Sequence, residues 1–293
     1  MKLNVFVTLI LRTVLLLASV SSAWADSSAN TQSVSTTTLP QQSQAQPPPQ
    51  NFHLKFNVAR STNLVDFQDG SRGDSVDYEL TPSIKIPWGA LAASITYSQD
   101  LRDQYSKTAS DFGDVPLIWA LKPTDLKWPG QTAKISYSIV AIFPVSQKSV
   151  KRDELKTALG AKIRFSVEPE GGDGFSYGAA VSLNQNFHSY EEDINGAVLN
   201  KYSSVQSASL GYSYSDWSLS FDAINRTKVT YQSNVKSAFE LTEELGYGIN
   251  KNISLALGHT NAGSPLKPNG TDSNVELINE NTSTVYASLI LTY

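Results

Sequence analysis

Residues 283–293 read STVYASLILTY. Val285, Ala287, Leu289, Leu291 and Tyr293 occupy every second position. Side chains of a strand alternate between two faces, so this spacing predicts a strand with one apolar face. The apolar stripe runs on to a final aromatic residue with no polar tail behind it. Such an ending predicts a closing strand whose outer face meets lipid.

The rest of the chain repeats the pattern. Phe52, Leu54, Phe56 and Val58 alternate with polar partners. Val76, Tyr78, Leu80, Pro82, Ile84, Ile86 and Trp88 keep the same period, and Ala133, Ile135, Tyr137, Ile139, Ala141 and Phe143 do so again. Helical spacing wins in no comparable window. Twelve such segments are expected from residue 51 onward. The connections Pro87–Ala90, Glu168–Gly174, Ser215-Asp216 and Ile249–Asn252 are short, and Lys122–Gln131 is a little longer. Ser61–Ser75, Arg102–Asp111, Pro144–Glu154, His188–Ser203, Arg226–Asn234 and Ala262–Thr282 are long and polar. Even strand number with short turns at one end and long loops at the other is the pattern of bacterial outer-membrane barrels. The expected fold is therefore all-β: a closed antiparallel transmembrane β-barrel of about twelve strands.

Composition agrees. No run of about 18 apolar residues offers a membrane-spanning helix. The net charge of −4 provides no basic footprint for nucleic acid. Cysteine is absent, which excludes disulfides and thiolate metal sites. Residues 1–25 have a basic start at Lys2, an apolar core and the small-residue end Ala23-Trp24-Ala25, so a cleaved signal peptide is expected. Residues 26–50 are Ser, Thr, Gln and Pro with little to bury, and are expected to be a disordered periplasmic leader. The barrel is assigned to residues 51–293.

With both termini and the short turns on the periplasmic side, Phe52, Trp88, Phe175, Tyr177, Tyr214, Trp217, Tyr247 and Tyr293 collect at one rim as an aromatic girdle. Phe143, Phe187 and Tyr202 fall toward the other. The residues alternating with the outer set are expected to line a lumen. Lys134, Lys156, Lys162 and Arg164 place cations on one wall; Asp77, Glu79, Glu240 and Glu244 supply anions elsewhere. Ser176, Gly178, Ala180, Ser182, Ser207, Ser209, Gly211, Ser218 and Ser220 leave space. Segregated charge in a polar interior orients a permeating solute, so a narrow passive channel for small polar solutes is expected. The alternative is a barrel closed by charge pairing, acting in surface binding through its long loops.

An enzymatic reading finds no preorganised site. His188 stands in HSYEED beside Glu191, Glu192 and Asp193, on an expected solvated loop. His259 and Asn261 lie two apart on the outer face, so a nucleophile would have to come from elsewhere, such as Ser237 or Ser283. His53 reads as interfacial. No catalytic residue, metal site or cofactor is expected. Glu243 breaks the apolar register near mid-strand, where an acidic group is costly. A bulge near Thr242–Glu244 is expected to turn it inward; a protomer contact is the other reading.

The alternating C-terminal strand ending in Tyr293 resembles the signature read by bacterial barrel-assembly machinery, which implies that machinery and outer-membrane lipid as partners. FGDVPLIWALK (112–122), then AKISYSIVAIFP (133–144), then a charged loop, resembles transporters of the meta-pathway phenol-degradation type. Those barrels carry Gly-Asp before one strand and a Pro-containing strand end before a long loop. Pro144-Val145-Ser146 stands here where Pro-Thr-Gly is frequent. The resemblance implies passive transport.

Overall fold

A computed structural model describes residues 51–64, 73–101, 110–128, 130–267 and 269–293. The expected signal peptide and leader lie outside the described residues.

The chain forms β1 (Phe52–Asn63), β2 (Asp74–Ile86), β3 (Gly89–Ala93), β4 (Ile95–Asp100) and β5 (Ser110–Phe112). It continues with β6 (Val115–Leu121), β7 (Thr124–Trp128), β8 (Gln131–Phe143), β9 (Leu155–Pro169) and β10 (Gly174–His188). The last are β11 (Asn200–Tyr214), β12 (Trp217–Thr230), β13 (Val235–Asn250), β14 (Ile253–Gly263) and β15 (Ser283–Thr292). Each pairs antiparallel with its neighbours, and β1 pairs with both β2 and β15, so the sheet closes on itself. Closure leaves no open edge. β3 and β4 are one wall strand interrupted at Ser94, since both pair with β2. β5, β6 and β7 are another, interrupted at Gly113-Asp114 and at Lys122-Pro123. The pieces thus make a closed barrel of twelve strands.

The face with Leu183 and Leu257, each 62% exposed, is the outer one. Asn57, Ala59, Thr242 and Ser288 are buried on the inner one. The closing strand behaves as its stripe predicts. Leu289 stands between Val58 and Leu255, with all three on the outer face. The Leu54 and Tyr293 backbones exchange hydrogen bonds of 2.9 and 2.8 Å.

Three expectations change. Thr124–Trp128 was expected in a connection and is strand β7, paired with β8. Pro123 has no N–H to donate, and the register slips there: Ala120 faces Ser138, but Thr124 faces Ile135. Four residues therefore oppose three, a bulge that restores Leu126 to the outer face opposite Ala133. The connection after β12 is residues 231–234, not Arg226–Asn234, because the ladder runs on through Thr230. Backbone pairing continues past the point where outward residues turn polar, as at Asn225 and Thr227. Finally, there is no bulge at Glu243. Phe221, Glu243 and His259 are consecutive register partners in an unbroken ladder, so Glu243 stays on the outer face. His259 opposite offers it a polar partner without a change of register.

Candidate functional site: the inner wall

Asp77, Glu79, Lys134, Lys156, Lys162, Arg164, Glu240 and Glu244 alternate along their strands with the exposed outward positions. They fall into two groups. The carboxylates are engaged. Asp77 accepts a hydrogen bond from Ser98 Oγ. Glu79 accepts from Ser94 Oγ at 2.8 Å and from Thr81 Oγ1 at 3.3 Å. Glu240 Oε2 holds Arg226 Nη2 at 2.7 Å. Glu244 Oε2 accepts from Tyr286 Oη at 2.7 Å. Glu240 and Glu244 are each 5% exposed.

The Tyr286 contact depends on a glycine. Glu244, Gly258 and Tyr286 are successive register partners across three strands. The Tyr286 ring lies flat over Gly258, and a Cβ there would sit 2.1 Å from its Cζ. Without a side chain in the middle position, the phenol reaches two strands along the wall.

The cations differ. Lys134 stands 3.9 Å from Glu168, both well exposed. Among the described residues, Lys156, Lys162 and Arg164 form no ion pair, and all three are exposed. Lys162 and Arg164 are in the middle of β9, between short neighbours: Ser138 and Ser182 flank the first, Ser136 and Ala180 the second. Mid-strand side chains on the inner face can be exposed only if space for water lies beside them. The inner face is thus most exposed around Lys162 and Arg164 on β9, and buried at Asn57, Glu240, Thr242, Glu244 and Ser288 on the opposite strands.

At the long-connection end, a loop carrying Lys148, Lys151 and Arg152 is held at both ends. Asp114 Oδ1 accepts from the N–H groups of Val145 and Ser146, each at 3.0 Å, and Asp114 Oδ2 from Ser149 Oγ. Asp111 Oδ2 accepts from Gln147 N–H at 2.9 Å. On the far side, Ile194 N–H donates to Arg152 O at 3.2 Å, and Arg152 Nε lies 3.8 Å from Asp193 Oδ2. Asp193 in turn accepts from Asn195 and Ala197 N–H. The Ala197 bond above all, with help from Asn195 and Arg152, holds its carboxyl below the usual carboxylate range.

Asp111, Lys148, Lys228 and Lys236 carry no signal of a site in the sequence, and Asp114 only that of the Gly-Asp pair. Lys228 was assigned to a loop. It is on β12, directly opposite Lys236 on β13. The period-two alternation of Phe221, Ala223, Asn225, Thr227 and Val229 would have extended the strand, had polar residues been admitted to the outer set.

The aromatic residues expected at one rim are all exposed: Phe52, Trp88, Phe175, Tyr177, Tyr214, Trp217, Tyr247 and Tyr293. They lie at or near strand ends beside short turns or next to Tyr293. Trp217 and Tyr247 rings stack 4.7 Å apart on paired strands.

The histidines are not gathered into a catalytic group. His188 Nδ1 is 3.3 Å from Tyr231 Oη. His259 Nδ1 is 3.9 Å from Glu243 Oε2, and its Nε2 has no hydrogen-bond partner among the described residues. No nucleophile is thus hydrogen-bonded to it. Asn261 is held by the last loop, through Glu276 O and Thr282 Oγ1. Ser283 Oγ accepts from Asn279 N–H. Among the described residues, no three His, Asp or Glu side chains form a metal-binding group.

No family model and no curated protein sequence matches the chain. Among solved structures it is similar to the NanC porin, with TM-score 0.50 and 11% identity over 82% of this chain and 99% of that one. It is also similar to an outer membrane channel from Pseudomonas putida F1, with TM-score 0.53 and 9% identity over 84% of this chain and 97% of that one. At such identities the likeness speaks to the fold.

Proposed function

We propose that the chain is an outer-membrane barrel that passes small polar solutes by passive diffusion. The observation that carries this reading is the exposure of Lys162 and Arg164, mid-strand on the inner face among Ser136, Ser138, Ala180 and Ser182. Space for water beside inward charges is what a diffusion channel requires. The exposed apolar outer face supports a bilayer as its surroundings, because a closed ladder satisfies the backbone without water. The exposed aromatic residues beside the short turns fit a headgroup-level girdle on the periplasmic side.

The likeness to phenol-degradation-type transporters belongs to the same proposal. Asp114 of the Gly-Asp pair grips the backbone just after Pro144, so the two parts of the motif work on each other. The test is conductance of the purified, refolded chain in planar bilayers. Discrete openings are expected. Silence at all voltages would sink the channel and favour the alternative, a closed barrel presenting its joined loops for surface binding.

A further inference from the structure

The inner wall carries charge of both signs, but the two signs are not equally available. Asp77, Glu79, Glu240 and Glu244 are occupied by Ser98, Ser94, Arg226 and Tyr286. Asp111 and Asp114 are taken up by the loop backbone from Val145 to Gln147. These six carboxylates are turned toward donors in the wall and loop, whereas Asp125 and Glu168, exposed at the short-turn end of the inner face, flank Lys134.

The cations stand in the opposite condition. Lys162 and Arg164 project from the same face of β9, two residues apart, without an ion pair among the described residues. Toward the long-connection end, Lys228 and Lys236 are direct cross-strand partners on β12 and β13. Like charges in that position repel. The charged groups acting most strongly on Lys228 are Lys148, Arg226 and Lys236, all cations. Of these, Arg226 is engaged by Glu240. Lys148 comes from the loop after β8, on a different part of the wall from β12. Its approach follows from the tethers of that loop to Asp111 and Asp114 at one end and to Asp193 at the other. Lys228 and Lys236 stand side by side at the long-connection end, and the charge of Lys148 acts on Lys228 from the loop after β8.

We propose that Lys148, Lys228 and Lys236 form an entry site for anions, and that Lys162 and Arg164 carry the same preference down the lumen. The solute class is then small anions bearing carboxylate or phosphate groups. The net charge of the chain has the opposite sign, −4; what selects is the charge left available in the lumen, focused by low-dielectric walls. This inference rests on the channel reading, and it fails separately from it.

The experiment is the reversal potential of the full, refolded protein in planar bilayers under a KCl gradient, repeated with potassium phosphate. The expected result is a potential of the sign set by chloride and by phosphate. In Lys228→Glu/Lys236→Glu, and separately in Lys162→Glu/Arg164→Glu, it should move toward the potassium value. Heat-modifiable gel migration verifies that each variant is folded, and the milder Lys→Gln pair replaces any that is not. Openings that are potassium-selective in the unaltered protein, or a chloride preference unmoved by both folded pairs, would overturn the anion site while leaving the channel standing. Absence of openings strikes the channel itself.

Discussion

Glu243 and His259 face each other on the outer side of the wall, directly opposite on β13 and β14, with Glu243 Oε2 3.9 Å from His259 Nδ1. A carboxylate on a largely apolar outer face is costly where, as proposed, that face meets lipid, and the imidazole is the polar group directly opposite it. Removing the two partners should therefore have unequal effects. His259→Leu leaves a carboxylate without its partner and should cost on the order of 1–3 kcal/mol of stability. Glu243→Leu leaves a neutral ring and should cost less. The double variant should recover most of the His259→Leu loss. Urea unfolding in lipid vesicles measures all three, and additive losses would show that the pair is not coupled.

The Tyr286–Glu244 bond depends on the empty position between them. Tyr286→Phe removes the hydroxyl from a buried carboxylate whose other oxygen, Oε1, has no partner among the described residues. A loss of about 1–3 kcal/mol is expected. Gly258→Val should cost at least as much by driving the ring off the wall. If Gly258→Val folds with unchanged stability and unchanged tyrosine fluorescence, the flat stacking over Gly258 is wrong.

Asp114 is the anchor of the loop after β8. Asp114→Ala removes the acceptor from two backbone N–H groups and the Ser149 hydroxyl. Limited trypsin digestion should then cleave faster after Lys148, Lys151 and Arg152. The barrel itself should keep its heat-modifiable migration. Equal cleavage rates in the parent and the variant would deny the anchor.

Asp193 makes the same loop system sensitive to acid. Its folded pKa is depressed, chiefly by the Ala197 N–H. The stabilisation is therefore present above the ordinary carboxylate value of about 3.9 and is lost as pH falls through the lower folded value. Cleavage within residues 189–199 by an acid-active protease should rise as pH drops through that window. Asp193→Asn should show the raised rate already above it. A rate flat with pH in the parent would contradict this role.

Much of the barrel was legible from residues alone, and unevenly so. β15 could be read from one apolar stripe, and β8 and β9 likewise. Apolar outward residues mark β12 only as far as Ala223, because the next outward residue is Asn225, and only its ladder with β13 carries it on. β7 was missed because Lys122-Pro123 breaks the period, and only pairing with β8 shows that the strand resumes. Glu243 was expected to be turned inward; the His259 that lets it stay out lies on the next strand, sixteen residues on.

The order of residues determined which side chains face out and which face in, and so the all-β closed wall. A strand's two faces follow from its own period, and the contrast between apolar and polar positions is local. Tertiary structure alone decided which inner charges are used up. Glu244 meets Tyr286 because β14 lies between them with a glycine in the right row, and the loop after β8 is held at two distant points, by Asp111 and Asp114 and by residues 193–194. Such relationships depend on register and on the path of loops between remote segments. Among the described residues they leave Lys162 and Arg164 without an ion pair at mid-wall, in a chain whose net charge is −4.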